Sequence, residues 1–187
     1  MTDVTLDEVR RRLDEESYVV RDVRSAGEFT GEVTAPCDRR PGRIPGARHF
    51  DLQELIARAA GATVFRSSEP EVGWLPVELT DAAAGDPVAT SLPERFDAFQ
   101  WHHYTHDLPA GAVELARSRV CLQAFRLGQA WGVQFHPEVR AAQVETWLTE
   151  DPDDVADPQA LRDATQARIE AWNELGRQLC SAFLVAV

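Results

Sequence analysis

Residues 130–138 read AWGVQFHPE and join a short apolar run to an abrupt stop. The run that ends at Phe135 predicts a buried strand, and Pro137 cannot continue it because proline has no backbone N–H to donate. His136 is therefore predicted at the end of a strand, where α/β proteins commonly place functional groups. Glu138 follows across the turn and could orient the imidazole, so the spacing suggests a general base with its carboxylate partner. A structural histidine bonded to a loop carbonyl would show the same spacing.

Around this stretch, helical and strand patterns alternate along the chain, which indicates an α/β fold. Gly61 is predicted to cap a helix, and Pro76 to confine its strand to an edge or a bulge. The turn-rich residues 81–93 should form a loop, and the acidic residues 150–158 a hinge between two helices. Helices are predicted at 5–16, 51–60, 140–149 and 158–184, and strands at 18–24, 62–66, 74–79, 95–101, 112–117, 119–126 and 130–135.

Composition and charge exclude several classes of function. The chain has 187 residues, which suits one domain or one domain with an appendage. Its 19 basic residues are all arginine, so lysine Schiff-base chemistry and the lysine of a Walker phosphate loop are excluded. Its 31 acidic residues give a net charge of −12, which disfavours nonspecific binding to nucleic acid. Neither a signal peptide nor a run of ~18 apolar residues is found, so we expect a cytoplasmic protein without a membrane span.

Cysteine and histidine are the remaining candidates for reactive or metal-binding groups. Cys37, Cys121 and Cys180 lack C-x-x-C spacing, which argues against disulfides and a structural zinc site. Cys37 lies in a polar loop beside two arginines that could lower its pKa, whereas Cys121 and Cys180 are predicted to pack in apolar surroundings. Residues 101–106, WHHYTH, hold three histidines, but no acidic cluster completes a metal site. We therefore predict no metal and no cofactor.

Six motifs in the second part of the chain occur in the order found in one protein family. They are ELIARAAGATVFR (54–66), EVGWLPVELT (71–80), DPVATSLPERFDAFQWH (86–102), LPAGAVELARS (108–118), CLQAFRLG (121–128) and WGVQFHPEV (131–139). Through them, residues 53–187 resemble class I glutamine amidotransferases of the stand-alone, GMP-synthase-like kind. The resemblance implies an α/β fold with a three-layer sheet and flanking helices.

The resemblance also implies a chemistry and a set of site residues. The family hydrolyses glutamine with a Cys-His-Glu triad: cysteine attacks the amide, ammonia leaves, and water cleaves the thioester. The resemblance assigns the histidine and the glutamate of the triad to His136 and Glu138. It also places His102 at the active-site mouth as a substrate-binding residue. Family members usually continue with Gly-Asp where this chain has His103 and Tyr104. Glutamine is the implied ligand, and any synthetase or ammonia acceptor would be a separate protein.

The nucleophilic cysteine of the family is missing from its expected place. The family carries it on a strand–turn–helix elbow that corresponds to a position near Phe50, and residues 48–52 contain neither cysteine nor glycine. The family's first strands are missing as well. Either Tyr18–Val23 pairs in their place, or a parallel sheet edge stays exposed.

Residues 5–52 resemble instead the first half of a rhodanese, a sulfurtransferase. The matching residues are Asp22-Val23-Arg24, Glu28-Phe29-Thr30-Gly31 and Arg43-Ile44-Pro45-Gly46-Ala47. The sulfur-carrying cysteine of rhodaneses comes later, so Cys37 does not occupy its position. The predicted domains are a partial rhodanese-like segment at 1–52 and a partial amidotransferase-like domain at 53–187. A recombined reading frame, a decayed paralogue and a noncatalytic protein would each produce this arrangement.

The function predicted from these features is that of an impaired enzyme. We expect a glutamine amidotransferase-like protein whose glutamine hydrolysis is lost or severely reduced, because the triad is incomplete. The alternatives are a rhodanese-like sulfurtransferase that uses Cys37, and a noncatalytic module that binds glutamine or a synthetase partner.

Overall fold

The structure, a computed structural model, describes residues 57–186 throughout and, before them, only the backbone of two short strands. The chain divides into two compact units, Met1–Leu55 and Ile56–Val187. The predictions made for Cys37 and Phe50 lie outside the described residues.

The first unit contains a parallel pair of two-residue strands, β1 (Arg21–Asp22) and β2 (Arg48–His49). β1 falls within the strand predicted at 18–24. The two strands form a sheet of their own and are not members of the larger sheet of the second unit. Of the segment Tyr18–Val23, the structure thus describes only Arg21–Asp22, which pair with β2.

The second unit is built around a five-stranded sheet in which every pairing is antiparallel. Each strand corresponds to a run predicted from the sequence, and the spatial order is β4-β3-β5-β6-β7. The strands are β3 (Val64–Leu79), β4 (Arg95–His106), β5 (Val113–Arg117), β6 (Leu122–Leu127) and β7 (Ala130–Val133).

β3 is one long strand where the sequence predicts two, at 62–66 and 74–79. Residues 67–70, SSEP, lie between the two predicted strands. The structure accommodates them inside the strand, with a shift of register against β4 between Arg66 and Glu71. The two predicted strands are therefore parts of one strand that is interrupted by a bulge.

Pro76 lies at a point of β3 that is paired on one side only. This suits proline, which has no N–H to donate to a second neighbouring strand. It lies opposite Asp97 of β4 on one side of β3. On the other side, β5 pairs with β3 only at Glu78 and Leu79. Pro76 thus has a strand neighbour on one side only, as predicted.

The sheet curls so that its two edge strands, β7 and β4, approach each other. Just beyond β7, the N–H of Gln134 still donates to the Gln123 carbonyl at 2.8 Å. The next contacts cross to β4: the His136 N–H donates to the Phe99 carbonyl at 2.9 Å, and the Gln134 side chain donates to the Tyr104 carbonyl at 3.2 Å. The chain after β7 is consequently fixed against both edges of the sheet.

Two helices, α1 (Ala141–Glu150) and α2 (Pro158–Ala186), pack with the sheet around one apolar core. Both begin and end within two residues of their predicted bounds. The expected α/β class, with a sheet and flanking helices, is confirmed. Within residues 57–186, no helix is long and apolar enough to cross a membrane. The buried core includes Val77, Ala98, Phe99, Leu115, Phe135, Val144, Leu148, Leu161, Trp172 and Leu179.

The acidic segment between α1 and α2 is anchored, which contradicts the hinge predicted for it. Pro152–Asp154 forms a short 3-10 turn. The carboxylate of Asp154 accepts a hydrogen bond from Trp101 Nε1 at 3.1 Å and lies 2.9 Å from His103 Nε2. Charge and proline indicated mobility, but these two partners on β4 hold the segment in place.

Gly61 caps a helix, as predicted. Its φ is +80°, a conformation that side chains other than glycine rarely adopt. Its N–H donates to the Arg58 carbonyl at 3.0 Å, and the Ala62 N–H donates to the Ala57 carbonyl at 2.9 Å. This pair of bonds is a Schellman motif.

Candidate active site

His136 and Glu138 form a hydrogen-bonded pair just after β7. Nδ1 of His136 lies 2.9 Å from Oε1 of Glu138, which is typical of a hydrogen bond to a charged group. Pro137 stands between them and restricts the turn across which the two side chains meet. Because Glu138 engages Nδ1, Nε2 is the nitrogen left to accept or deliver a proton.

The turn that carries His136 is held by the sheet and by both helices. Its N–H donates to Phe99 of β4, and its carbonyl accepts the indole N–H of Trp172 from α2 at 2.9 Å. The ring of Trp147 in α1 lies against the imidazole, with 4.9 Å between ring centroids. These contacts position the imidazole from three directions.

α2 passes the same turn at Gly176, where there is no room for a side chain. A Cβ at this position would overlap the carbonyl oxygen of Pro137, far inside van der Waals contact. The close approach of helix and turn therefore requires glycine.

The carboxyl group of Glu138 is a stronger acid than an ordinary glutamate. Partial desolvation raises its pKa, but the hydrogen bond and the charge of His136 lower the pKa by more, and the net value lies below 4.5. Glu138 is thus ionised at neutral pH.

Among the described residues, no thiol hydrogen-bonds to this pair. The hydrogen bond that the imidazole makes within residues 57–186 uses Nδ1. Cys180 is exposed on α2, which contradicts the packed position predicted for it, and Cys121 bonds to Glu71.

His102 is a buried residue of the sheet. Its side chain is 5% exposed, and Nε2 lies 3.3 Å from Oε2 of Glu71. The structure describes no contact between His102 and either member of the His136–Glu138 pair, so a substrate-binding role stays a prediction. The next two residues diverge, since His103 meets Asp154 and Tyr104 is exposed.

Cys121 lies in polar surroundings, although its apolar sequence neighbours predict otherwise. Its thiol donates to Oε2 of Glu71 at 3.1 Å, and Gln123 Nε2 lies 3.4 Å from its sulfur. Burial raises the pKa of Cys121 to about 12, and the hydrogen bond and charge of Glu71 act in the same direction. A thiol that stays protonated at neutral pH is a poor nucleophile.

We expect Cys121 to react slowly with iodoacetamide when the folded, metal-free chain is labelled at pH 8. A pKa of about 12 in place of 9.0 leaves a thiolate fraction about 1,000-fold smaller. A more basic thiolate is also more nucleophilic, which raises its rate of attack roughly 20-fold. The net alkylation rate of Cys121 is therefore expected to be roughly 50-fold lower than that of an ordinary thiol. Peptide mass spectrometry compares Cys121 with the exposed Cys180. Equal labelling rates would contradict the described environment of Cys121.

Comparison with known proteins places this chain in a family. Residues 53–151, more than half of the chain, match the family described as glutamine amidotransferase class-I. The chain belongs to the class I glutamine amidotransferase family. The matched residues include the His136–Glu138 pair.

Two sequence relatives and a solved structure illustrate the family membership. The putative glutamine amidotransferase-like protein YfeJ of Salmonella typhimurium is 32% identical over 123 residues, covering 64% of this chain and 52% of YfeJ. The glutamine-hydrolysing GMP synthase of Aeropyrum pernix is 31% identical over 134 residues, covering 58% of this chain and 26% of the synthase. A glutamine amidotransferase from Thermotoga maritima superposes with a TM-score of 0.63 at 30% identity, covering 70% of this chain and 58% of that one. This chain therefore spans about half the length of YfeJ and a quarter of the synthase.

Proposed function

We propose that this chain is a glutamine amidotransferase-like protein whose own glutamine hydrolysis is lost or severely reduced. The observation that carries the proposal is the His136–Glu138 pair, which is formed at 2.9 Å but has no hydrogen-bonded thiol among the described residues. The family's nucleophile position falls near Phe50, where the sequence has no cysteine.

The missing thiol removes the covalent step. The family reaction needs a thiolate to attack the glutamine amide and form a glutamyl thioester, while the histidine moves the proton to the departing ammonia. Without a nucleophile, the imidazole of His136 has no thiol proton to take. Loss of one member of a catalytic triad lowers kcat by roughly 10⁴- to 10⁶-fold, since the members act as a unit.

The ligand proposed for this site is glutamine, the substrate of the family reaction. The name of the Aeropyrum relative says that it hydrolyses glutamine and is a GMP synthase. By that relation, a noncatalytic role for this chain would be to bind glutamine or a separate synthetase. Stabilisation of the folded chain by millimolar glutamine, without turnover, would support that role.

A rhodanese origin for residues 5–52 is a second, weaker proposal that rests on their motifs alone. The family match begins at residue 53 and gives this segment no support. A sulfurtransferase role would require Cys37 to carry sulfur from thiosulfate to cyanide. Thiocyanate formation that is lost in Cys37→Ser would support it, and its absence in the wild-type chain would end it.

The proposed loss of activity is tested by ammonia release from glutamine. We expect the wild-type chain to release no more ammonia than His136→Ala, with a class I amidotransferase that has a complete triad as the positive control. Both variants should first be shown to fold, by circular dichroism. Glutamine-dependent release by the wild type that His136→Ala abolishes would show a working nucleophile and refute the proposal.

A further inference from the structure

Three side chains from separate segments meet in one buried polar cluster. Glu71 lies in β3, His102 lies in β4, and Cys121 comes just before β6. Oε2 of Glu71 is 3.1 Å from Sγ of Cys121 and 3.3 Å from Nε2 of His102. All three atoms lie within 4.8 Å of one another, so an oxygen, a nitrogen and a sulfur border the same small space.

His102 is the member of the cluster whose ring nitrogens lack hydrogen-bond partners among the described residues. Its side chain is 5% exposed, and among the described residues neither ring nitrogen has a hydrogen bond of acceptable geometry. A buried polar group without a hydrogen bond destabilises the fold, and such groups usually indicate a bound water, an ion or a functional role. An ion between His102, Glu71 and Cys121 would satisfy Nε2.

We propose that Glu71, His102 and Cys121 bind a zinc ion through Oε2, Nε2 and Sγ, with water as the fourth ligand. Zinc takes four ligands drawn from carboxylate, imidazole and thiolate groups. With bonds of about 2.0–2.3 Å, tetrahedral ligand atoms stand roughly 3.5 Å apart. The 3.1 and 3.3 Å separations from Glu71 therefore need only small outward shifts. The remaining pair, His102 Nε2 and Cys121 Sγ, lies within 4.8 Å and adjusts to the same spacing when the ion binds. Magnesium and calcium fit poorly because they prefer oxygen ligands throughout.

Neighbouring side chains already orient the carboxylate of Glu71. Nε2 of Gln123 donates to its Oε2 at 2.9 Å, and the Ser118 hydroxyl donates to the same atom at 3.1 Å. Gln123 is fixed in turn by Gln100, whose Nε2 donates to Oε1 of Gln123 at 2.6 Å. Hydrogen bonds of this kind orient metal ligands and add to metal affinity.

A surface cleft borders the cluster at Cys121. It has a volume of about 290 Å³, and its lining includes His106, Ser118 and Cys121. Cys121 is only partly buried, unlike Glu71 and His102. The cleft therefore offers both an entry path for the ion and a place for the fourth, water ligand.

Zinc binding at this site is coupled to the loss of a proton. The Cys121 thiol gives its proton to solvent as the Zn–S bond forms, while Glu71 is already ionised and His102 binds as the neutral imidazole. Zinc affinity is consequently expected to rise as the pH rises.

Cobalt is the spectroscopic probe for this proposal. The full chain, stripped of metal by a chelator, is titrated with Co²⁺ and then with Zn²⁺. We expect one equivalent of Co²⁺ to produce a sulfur-to-cobalt charge-transfer band, and one equivalent of Zn²⁺ to remove it. Cys121→Ser should eliminate the band and weaken zinc binding at least ~100-fold. Cys180→Ser is the matched control and should leave both unchanged.

Two results would overturn the proposal: no charge-transfer band in the wild-type chain, or a band that persists in Cys121→Ser. The wild-type measurement needs no variant, so misfolding of a variant cannot obscure it. Glu71→Gln keeps the shape and an acceptor oxygen but removes the charge, and it should also weaken zinc binding. Circular dichroism checks that each variant folds.

Discussion

Replacing Trp172 with alanine is expected to lower the free energy of unfolding by about 3–5 kcal/mol. Trp172 is 4% exposed and lies at the centre of the aromatic core. Its ring centroid is 5.7 Å from that of Trp74, 6.2 Å from Phe96 and 5.9 Å from Phe135. Removing the ring opens a large cavity and also removes the hydrogen bond to the His136 carbonyl.

Trp172→Phe separates these two contributions. Phenylalanine retains a ring in the core but cannot donate to the His136 carbonyl, so we expect a smaller loss of about 1–3 kcal/mol. Urea denaturation followed by far-ultraviolet circular dichroism measures both variants. A loss below about 1 kcal/mol for Trp172→Ala would contradict the described packing of α2 against the sheet.

Gly176→Ala is expected to destabilise the protein although alanine favours helices. At an open position in a helix, the change from glycine to alanine would raise stability by about 1 kcal/mol. At Gly176 the new methyl group meets the backbone carbonyl of Pro137, and backbone cannot rotate away as a side chain can. Overpacking costs about 1–3 kcal/mol, and a clash with backbone belongs at the upper end of that range, so we expect a net loss of about 2 kcal/mol.

Gly85→Ala is the matched control for this substitution. Nothing lies within 4 Å of a Cβ built at Gly85, so its effect should stay within about 0.5 kcal/mol. Gly176→Ala should also shift the imidazole resonances of His136, because the strain falls on the adjoining Pro137. A stability gain in Gly176→Ala, with unchanged His136 resonances, would show that α2 does not approach the turn closely.

Local signals in the sequence predicted the elements that depend on local contacts. Both helices follow from their apolar periodicity, and the helix end at Gly61 follows from glycine's tolerance of positive φ. The proximity of His136 and Glu138 was accessible for the same reason, because the two residues are separated only by a proline turn. The catalytic role predicted for them, in contrast, depended on the family resemblance.

Contacts between distant segments were not accessible in this way. Glu71, His102 and Cys121 come together only because β3 pairs with β4 and because the sheet curls. The sequence therefore presented His102 as one of three neighbouring histidines without acidic partners. The acidic, proline-containing composition around Asp154 indicated a mobile hinge. The hydrogen bond that anchors it could not be predicted from local sequence, because its partner Trp101 lies 53 residues away.

The proposed loss of the nucleophile is tested most directly by a glutamine analogue that carries a chloromethyl ketone in place of the side-chain amide. Such a compound alkylates a thiol that is activated beside a bound glutamine side chain. After incubation, we expect the intact mass of the chain to show no adduct that excess glutamine prevents, and the result for His136→Ala to be the same. A single adduct that glutamine blocks, and that His136→Ala does not form, would contradict the proposed loss of the nucleophile.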